Sequence, residues 1–292
     1  LLNTWLTHYL YGVDNHVESL PEVLAQNNYD PSKWTSYDNW KSSQRLFLNA
    51  SSKRLEETIS SDYAAAGVEI ANRNETVSKA SSKANLTFVS DVTEDTTIKG
   101  HIPVHFKAAL AKGQGKNFQI NALLVDVADD DFDVVGNGSV KQDKTADGFW
   151  MGSNLSNLSV AEYETIKTKY KVIAKGWINL ANPESGYDSA SSRASIEPKV
   201  GEYHDYTVFL QPNLYTVKKG HKLALVFNTY DPSDLTVEHP YEVTFKTDSI
   251  QAAIPIVEKT RAQKASYVPS ATDTDYAKLP EIEGAALVAP EV

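Results

Sequence analysis

The sequence predicts a mainly β protein, an antiparallel jelly-roll sandwich entered through one helix and one strand. Short apolar runs recur from Leu46 onward, at Leu46–Leu48, Leu86–Val89, Ile98–Leu110, Phe118–Val127, Val172–Leu180, Tyr206–Leu210, Leu223–Tyr230 and Tyr241–Phe245. Turn residues separate them, among them Lys112-Gly113-Gln114-Gly115 and Gly136-Asn137-Gly138. Within Ile98–Leu110, residues Ile102, Val104, Phe106 and Ala108 share a face at period two, as in a strand with one buried side. Many short strands with turn punctuation imply two antiparallel sheets.

The elements follow in order. Leu1, Leu2, Trp5, Leu6, Tyr9 and Leu10 share one helical face, and Gly12 ends that helix. Pro21 precedes Val23-Leu24-Ala25, a short buried-strand pattern, and Trp34 and Trp40 lie in a polar, turn-rich segment. Together these read as the end of an α/β domain. A chain that opens Leu1-Leu2-Asn3-Thr4-Trp5, inside an amphipathic helix and without methionine, reads as a piece of something longer. The expected division is residues 1–44 from that α/β domain, 45–257 as the β-sandwich, and 258–292 as a tail.

Inside the β region, Ser159-Val160-Ala161-Glu162 is a capping-box pattern, and Val160, Tyr163, Ile166 and Tyr170 follow at helical spacing. A helix is expected there. Residues 52–82, rich in Ser, Ala, Lys and Glu, suit a helix or a loop excursion equally. The tail, rich in Ala, Pro, Thr and Glu with weak periodicity, reads as flexible. Tyr206–Leu210 and Leu223–Tyr230 flank a turn at Lys218-Lys219-Gly220 and read as a hairpin. Gln211-Pro212-Asn213 is expected to stop the first run, because proline removes a ladder donor.

Bulk properties narrow the function. The chain has 292 residues and a net charge of −10, which argues against nucleic acid and anionic membranes as partners. It has no cysteine, hence no disulfide framework, thiolate nucleophile or Cys-ligated zinc. No apolar run approaches the roughly 18–20 residues of a membrane helix. The sequons at Asn49, Asn74, Asn85, Asn137, Asn154 and Asn157 read as chance in an Asn/Ser/Thr-rich chain.

Each candidate for chemistry has a structural alternative. No Gly-x-Ser-x-Gly nucleophile elbow occurs. His8 and His16 read as helix-surface or interdomain residues. His101 and His105 are four apart, a metal spacing on a helix but not in a strand-like run. His221, in Gly220-His221-Lys222-Leu223, reads as a turn hydrogen bonder. Asp126, Asp129, Asp130, Asp131 and Asp133 are the best calcium candidate, yet lack the EF-hand spacing and read as a solvated hairpin end. Trp150, Trp177, Tyr187, Tyr203, Tyr206 and Tyr215 could form a sugar-stacking platform, although Trp177 and Tyr206 alternate with apolar neighbours as core residues do. No catalytic, cofactor-binding or metal residue is assigned.

A larger pattern runs through Ser192–Asp231: SR-x-S-x-E-P, then V-G-x-Y, then Y-T-V-x-L-Q-P-x-x-Y-x-V-x-K-G-H-K-L-x-L. It resembles the C-terminal domain of the Xaa-Pro dipeptidyl-peptidase and cocaine-esterase superfamily of serine hydrolases. The similarity extends to Leu2-Asn3-Thr4-Trp5-Leu6, Leu10–Asn15, Pro21–Gln26, Thr97–Phe106 and Leu124–Val127. Lys175–Pro183 and Leu210–Tyr215 look more like the peptidase branch than the esterase branch.

The resemblance implies a galactose-binding-like jelly roll preceded by the last helix and strand of an α/β-hydrolase domain. It implies a catalytic serine, histidine and aspartate upstream, with the histidine just before residue 1, and no nucleophile or cofactor in this chain. The implied parent is a cytoplasmic, homodimeric exopeptidase acting on proline-containing peptides. The present region would be a partner of its N-terminal catalytic region, stabilising it and shaping access to its site. The alternatives are a carbohydrate-binding module and the C-terminal domain of a related serine esterase.

Overall fold

A computed structural model describes residues 2–50, 54–62, 81–140, 163–184, 195–229 and 239–257. The chain divides into two compact units. One comprises Leu1–Asn39, Val135–Thr165 and Lys264–Val292, the other Trp40–Val134 and Ile166–Gln263.

In the first unit, helix α1 (Leu2–Tyr11) ends at Gly12, whose φ of 68° and N–H bond to His8 O form a left-handed cap. A 3-10 turn (Val17–Ser19) leads to β1 (Val23–Gln26), which pairs antiparallel with β2 (Trp34–Tyr37). The strand expected after Pro21 is therefore present, but Trp34 lies in its partner strand and not in a loop. Asn27 Oδ1 accepts the N–H groups of Tyr29 and Asp30, turning the chain between the two strands. The apolar face of α1 is turned outward: Trp5, Tyr9 and Leu10 are 51%, 55% and 68% exposed.

The second unit holds two antiparallel sheets. Their strands are β3 (Gln44–Asn49), β4 (Glu56–Ser60), β5 (Asn85–Asp91), β6 (Thr96–Lys112), β7 (Gln119–Val140), β8 (Tyr163–Asn179), β9 (His204–Val217), β10 (Lys222–Asn228) and β11 (Glu242–Ile256). One sheet has the order β3-β11-β6-β9, with β4 also beside β11. The other has the order β5-β10-β7-β8. The ends of β7 and β8 extend into the first unit's residues.

One core joins the inner faces of both sheets. At its centre Phe106 of β6 lies 5.2 Å from Phe227 of β10 and 5.5 Å from Phe245 of β11, while Tyr206 stacks on Phe106 at 5.5 Å. Each fully buried ring is worth about 1.5–3 kcal/mol of transfer energy. Central strands β7 and β10 are buried on their outer faces too, where Leu123, Val125, Val127, Ala224 and Val226 cluster. This explains the unbroken apolar runs Ala122–Val125 and Leu223–Phe227, which do not alternate.

The sheets are closely tied along the β8/β9 side. Tyr206 donates its hydroxyl to Leu180 O at 2.9 Å, and Asn213 Nδ2 donates to Ile173 O at 2.6 Å. Gly176 of β8 lies so near Phe209 of β9 that an added Cβ would stand 2.5 Å from the Phe209 carbonyl oxygen. Only glycine fits there.

Several expectations are corrected. Tyr163–Tyr170 is the start of β8, not a helix. Ile166, Thr168, Tyr170 and Val172 also satisfy period two, and β-branched and aromatic side chains favour the strand. Ser159–Glu162 lies outside the described residues. Gly136-Asn137-Gly138 does not end a strand, since β7 runs through to Val140. In residues 52–82, Glu56–Ser60 forms β4, and 63–80 lies outside the described residues, as does the tail beyond 257.

Pro212 does not stop β9. Leu210 pairs with Ile102 and Asn213 with Gly100, so Gln211 and Pro212 together oppose His101. This bulge absorbs the proline without a ladder donor, and Gly100 takes φ 119° opposite it. Nor do β9 and β10 form a hairpin, for they belong to different sheets. The Lys218–His221 turn, with Gly220 at φ 88°, carries the chain from one sheet to the other. Inward-facing Tyr215 and Val217 of one sheet and Leu223 and Leu225 of the other then share one core.

Candidate functional site

The most organised polar constellation lies at that crossing. Asp126 is the one charge in the apolar run Leu123–Val127 and is fully buried. Strand alternation places it on the inner face with Leu124. His221, with its proton on Nδ1, donates to Asp126 Oδ1 at 2.8 Å. Tyr215 donates to Oδ2 at 2.9 Å. The Phe132 ring packs 4.8 Å from the imidazole. One carboxylate thus binds strands from both sheets and the turn between them. The pair has the carboxylate–imidazole relation of a hydrolase triad, but here it serves as a clasp: its second oxygen holds a tyrosine that anchors the opposite sheet.

The turn role expected of His221 holds for its backbone, which donates to Lys218 O and accepts from Val92 N–H. The side-chain contact with Asp126 escaped sequence reasoning, although a lone aspartate in an otherwise apolar strand was an available signal. Outside the clasp, Asp95 accepts Lys219 N–H and Lys218 Nζ, both at 2.9 Å, and these bonds hold its carboxyl below the usual range.

The acidic run is not a hairpin end. Asp126, Asp129, Asp130, Asp131 and Asp133 lie along β7, where successive side chains point to opposite faces. Asp129 pairs with Lys222 Nζ at 3.1 Å. Among the described residues, no group of three or more His, Asp or Glu is placed to hold a metal ion. His101 and His105 are four residues apart on β6, about 13 Å along an extended chain. His105 Nδ1 instead contacts the cross-strand Thr207 hydroxyl at 2.7 Å.

His8 Nδ1 faces the Val13 carbonyl at 2.8 Å and its Nε2 faces Glu18 at 2.5 Å, tying α1 to the following turn. His16 is exposed, with φ 57°. Among the aromatics, Tyr206 and Tyr215 are buried, so neither offers a ring to a sugar, while Trp177 is half-buried. Lys246 Nζ sits 4.5 Å over the Tyr203 ring while bonding Glu56. Trp150 and Tyr187 lie outside the described residues. The sequon residue Asn85 is buried, with Nδ2 bonded to Thr87 Oγ1.

Residues 15–268 match the family described as the X-Pro dipeptidyl-peptidase C-terminal non-catalytic domain. The chain belongs to this family. A Xaa-Pro dipeptidyl-peptidase of Ligilactobacillus salivarius is 27% identical over 85% of this chain and 32% of its own length. One from Lactiplantibacillus plantarum is 28% identical over 79% of this chain and 30% of its own. The chain therefore spans about a third of the curated relatives it matches.

Solved structures show the same fold. A CocE/NonD family hydrolase from Staphylococcus aureus aligns with a TM-score of 0.52 at 12% identity, covering 88% of this chain and 45% of its own. An aminopeptidase from a marine sediment Thaumarchaeota archaeon aligns with a TM-score of 0.52 at 14% identity, covering 88% and 43%. Among the described residues, no helix is long and apolar enough to cross a membrane.

Proposed function

We propose that this chain is the C-terminal, non-catalytic region of a serine exopeptidase that releases Xaa-Pro dipeptides from free peptide N-termini. Its two sheets form a jelly roll, a reading supported by the passage of β9 into β10 across the core. In the cell it works in the cytoplasm, within a homodimer, beside an N-terminal catalytic region of the same polypeptide. It stabilises that region and narrows access to its active site. Helix α1 and β1 are the last elements of the hydrolase domain.

The observation that carries this reading is the match over residues 15–268 to a family of non-catalytic C-terminal domains. Hydrolysis of Gly-Pro-p-nitroanilide tests it. The 292-residue chain is expected to be inactive, and the longer polypeptide containing it active and sensitive to serine-directed inhibitors. Serine-inhibitor-sensitive turnover by the 292-residue chain alone would overturn the non-catalytic reading. Preference of the longer polypeptide for simple esters over the Gly-Pro amide would place it with the esterases.

A further inference from the structure

His8 stands in the last turn of α1, with 20% of its side chain exposed, and both of its ring nitrogens face oxygen. Nδ1 lies 2.8 Å from the Val13 carbonyl oxygen, and Nε2 lies 2.5 Å from Glu18 Oε1. Gly12, at φ 68° and bonded through its N–H to His8 O, turns the backbone so that Val13 comes back beside the ring. The 3-10 turn Val17–Ser19 then brings Glu18 to the other nitrogen.

A carbonyl oxygen and an ionised carboxylate only accept hydrogen bonds. A neutral imidazole has one N–H and one lone pair, so it satisfies one of these oxygens and sets its lone pair against the other. The imidazolium has two N–H groups and satisfies both. The carbonyl end of a helix also favours a cation over a neutral group. Among the described residues, Glu18 is the one charged group in ion-pair contact with the ring. Tyr9, edge-on to the imidazole at 4.7 Å, is its other titratable neighbour. Asp14 and His16, both 84% exposed, form a separate pair at 3.4 Å.

We propose that His8 is a proton-operated latch between α1 and the Val17–Ser19 turn, closed by the imidazolium and loosened when the ring loses a proton. The tie is complete while the ring is charged and Glu18 is ionised. As pH rises through the ordinary imidazole range, about 6.5, one of the two bonds is lost. The latch acts on the end of α1 that carries Tyr9 and Leu10, 55% and 68% exposed, with Trp5 against Tyr9 at 4.5 Å. The aromatic face of the helix is thus fixed relative to the turn in mildly acidic surroundings and released in alkaline ones. The device lies within the first unit and does not depend on the peptidase reading.

NMR of the 292-residue chain at about pH 5.5 and about pH 8.5, either side of that range, tests it. At the lower pH the imidazole nitrogen signals of His8 are expected to show a proton on each nitrogen. Gly12 N–H, which bonds His8 O, is expected to be about threefold better protected from exchange there, after correction for the intrinsic pH dependence, the size of a partly exposed ion pair. Neither readout needs a variant. His8→Gln is expected to abolish the difference in protection. Glu18→Gln should shrink it, because the amide oxygen still accepts but the charge is gone. His16→Gln should leave it unchanged. Equal Gly12 protection at both pH values in the native chain would overturn the proposal. So would a His8 ring with a single N–H at the lower pH, or a difference that survives His8→Gln or vanishes in His16→Gln.

Discussion

His221 Nδ1 lies 2.8 Å from Asp126 Oδ1, joining the turn that enters β10 to its neighbour β7, while Tyr215 reaches the same carboxylate from the other sheet. A buried carboxylate retains its place only while its donors are present. The clasp therefore makes the sheet crossing dependent on side chains and not on the turn alone.

Replacing His221 with Ala should cost about 1–3 kcal/mol, because it leaves a buried acceptor short of a donor. Tyr215→Phe should cost less, since the ring remains. Urea unfolding monitored by tryptophan fluorescence checks both. An unchanged midpoint for His221→Ala would mean the contact contributes nothing.

Phe106→Ala should cost about 3–5 kcal/mol, as it opens a cavity between three aromatic neighbours. Calorimetry should show a large fall in Tm, because Phe227 and Phe245 come from different sheets and cannot both close the gap.

Gly176→Ala should destabilise the β8/β9 side by forcing Cβ against the Phe209 carbonyl. Hydrogen exchange is the direct readout: amides of β8 and β9 near the contact should exchange faster, while β3 and β5 amides keep their protection. Uniform exchange behaviour in the variant and the native chain would contradict the close approach.

Burial raises the Tyr206 phenol above its ordinary pKa of 10.0, so the folded protein keeps it protonated after the unfolded chain has released its proton. The unfolded state then binds fewer protons, and stability falls with rising pH. This contribution is fully present below about pH 10 and is lost above it. Tyr206→Phe should flatten the alkaline decline in urea midpoint, and an identical decline would exclude Tyr206 as its source.

Hydrogen bonds from Lys33 and then Ser32 lower the Asp30 carboxyl to about 2. The stabilisation is present above the ordinary 3.8 and is lost as pH falls toward 2. Carbon NMR of the Asp30 side chain should give a midpoint near 2 in the native chain and a higher one in Lys33→Ala. Equal midpoints would remove Lys33 as the cause.

The strands were legible in the sequence where one property dominated. Ile102, Val104, Phe106 and Ala108 alternate cleanly because β6 packs one face on the core, and all four are buried. Where two periods coexist, as at Tyr163–Tyr170, local spacing misled, for the same residues satisfy helix and strand. Connectivity was less legible than strand identity. A tight turn at Lys218–Gly220 signals a reversal but not whether the next strand pairs beside the last or faces it across a core. Pro212 was misread because a bulge depends on its partner Gly100, more than a hundred positions away in the chain. The lone Asp126 in its apolar run marked one half of the clasp, but its partner was hidden for the same reason: Asp126 and His221 are separated by 95 residues.

The pairing of β3 with β11 has a further consequence. Asn49 and Gln251 are hydrogen-bonded partners 202 residues apart, and β4 likewise waits for Glu242–Lys246. During synthesis on the ribosome, both early strands emerge long before the strand that will receive them. Phe245, a member of the central aromatic cluster, is also delivered last. The sheet must therefore close after nearly all of the β region has been translated, so its folding is slow and post-synthetic in character. A chain halted before Glu242 would leave β3, β4 and one edge of β6 as exposed, unpaired strands, a substrate for chaperones and proteases.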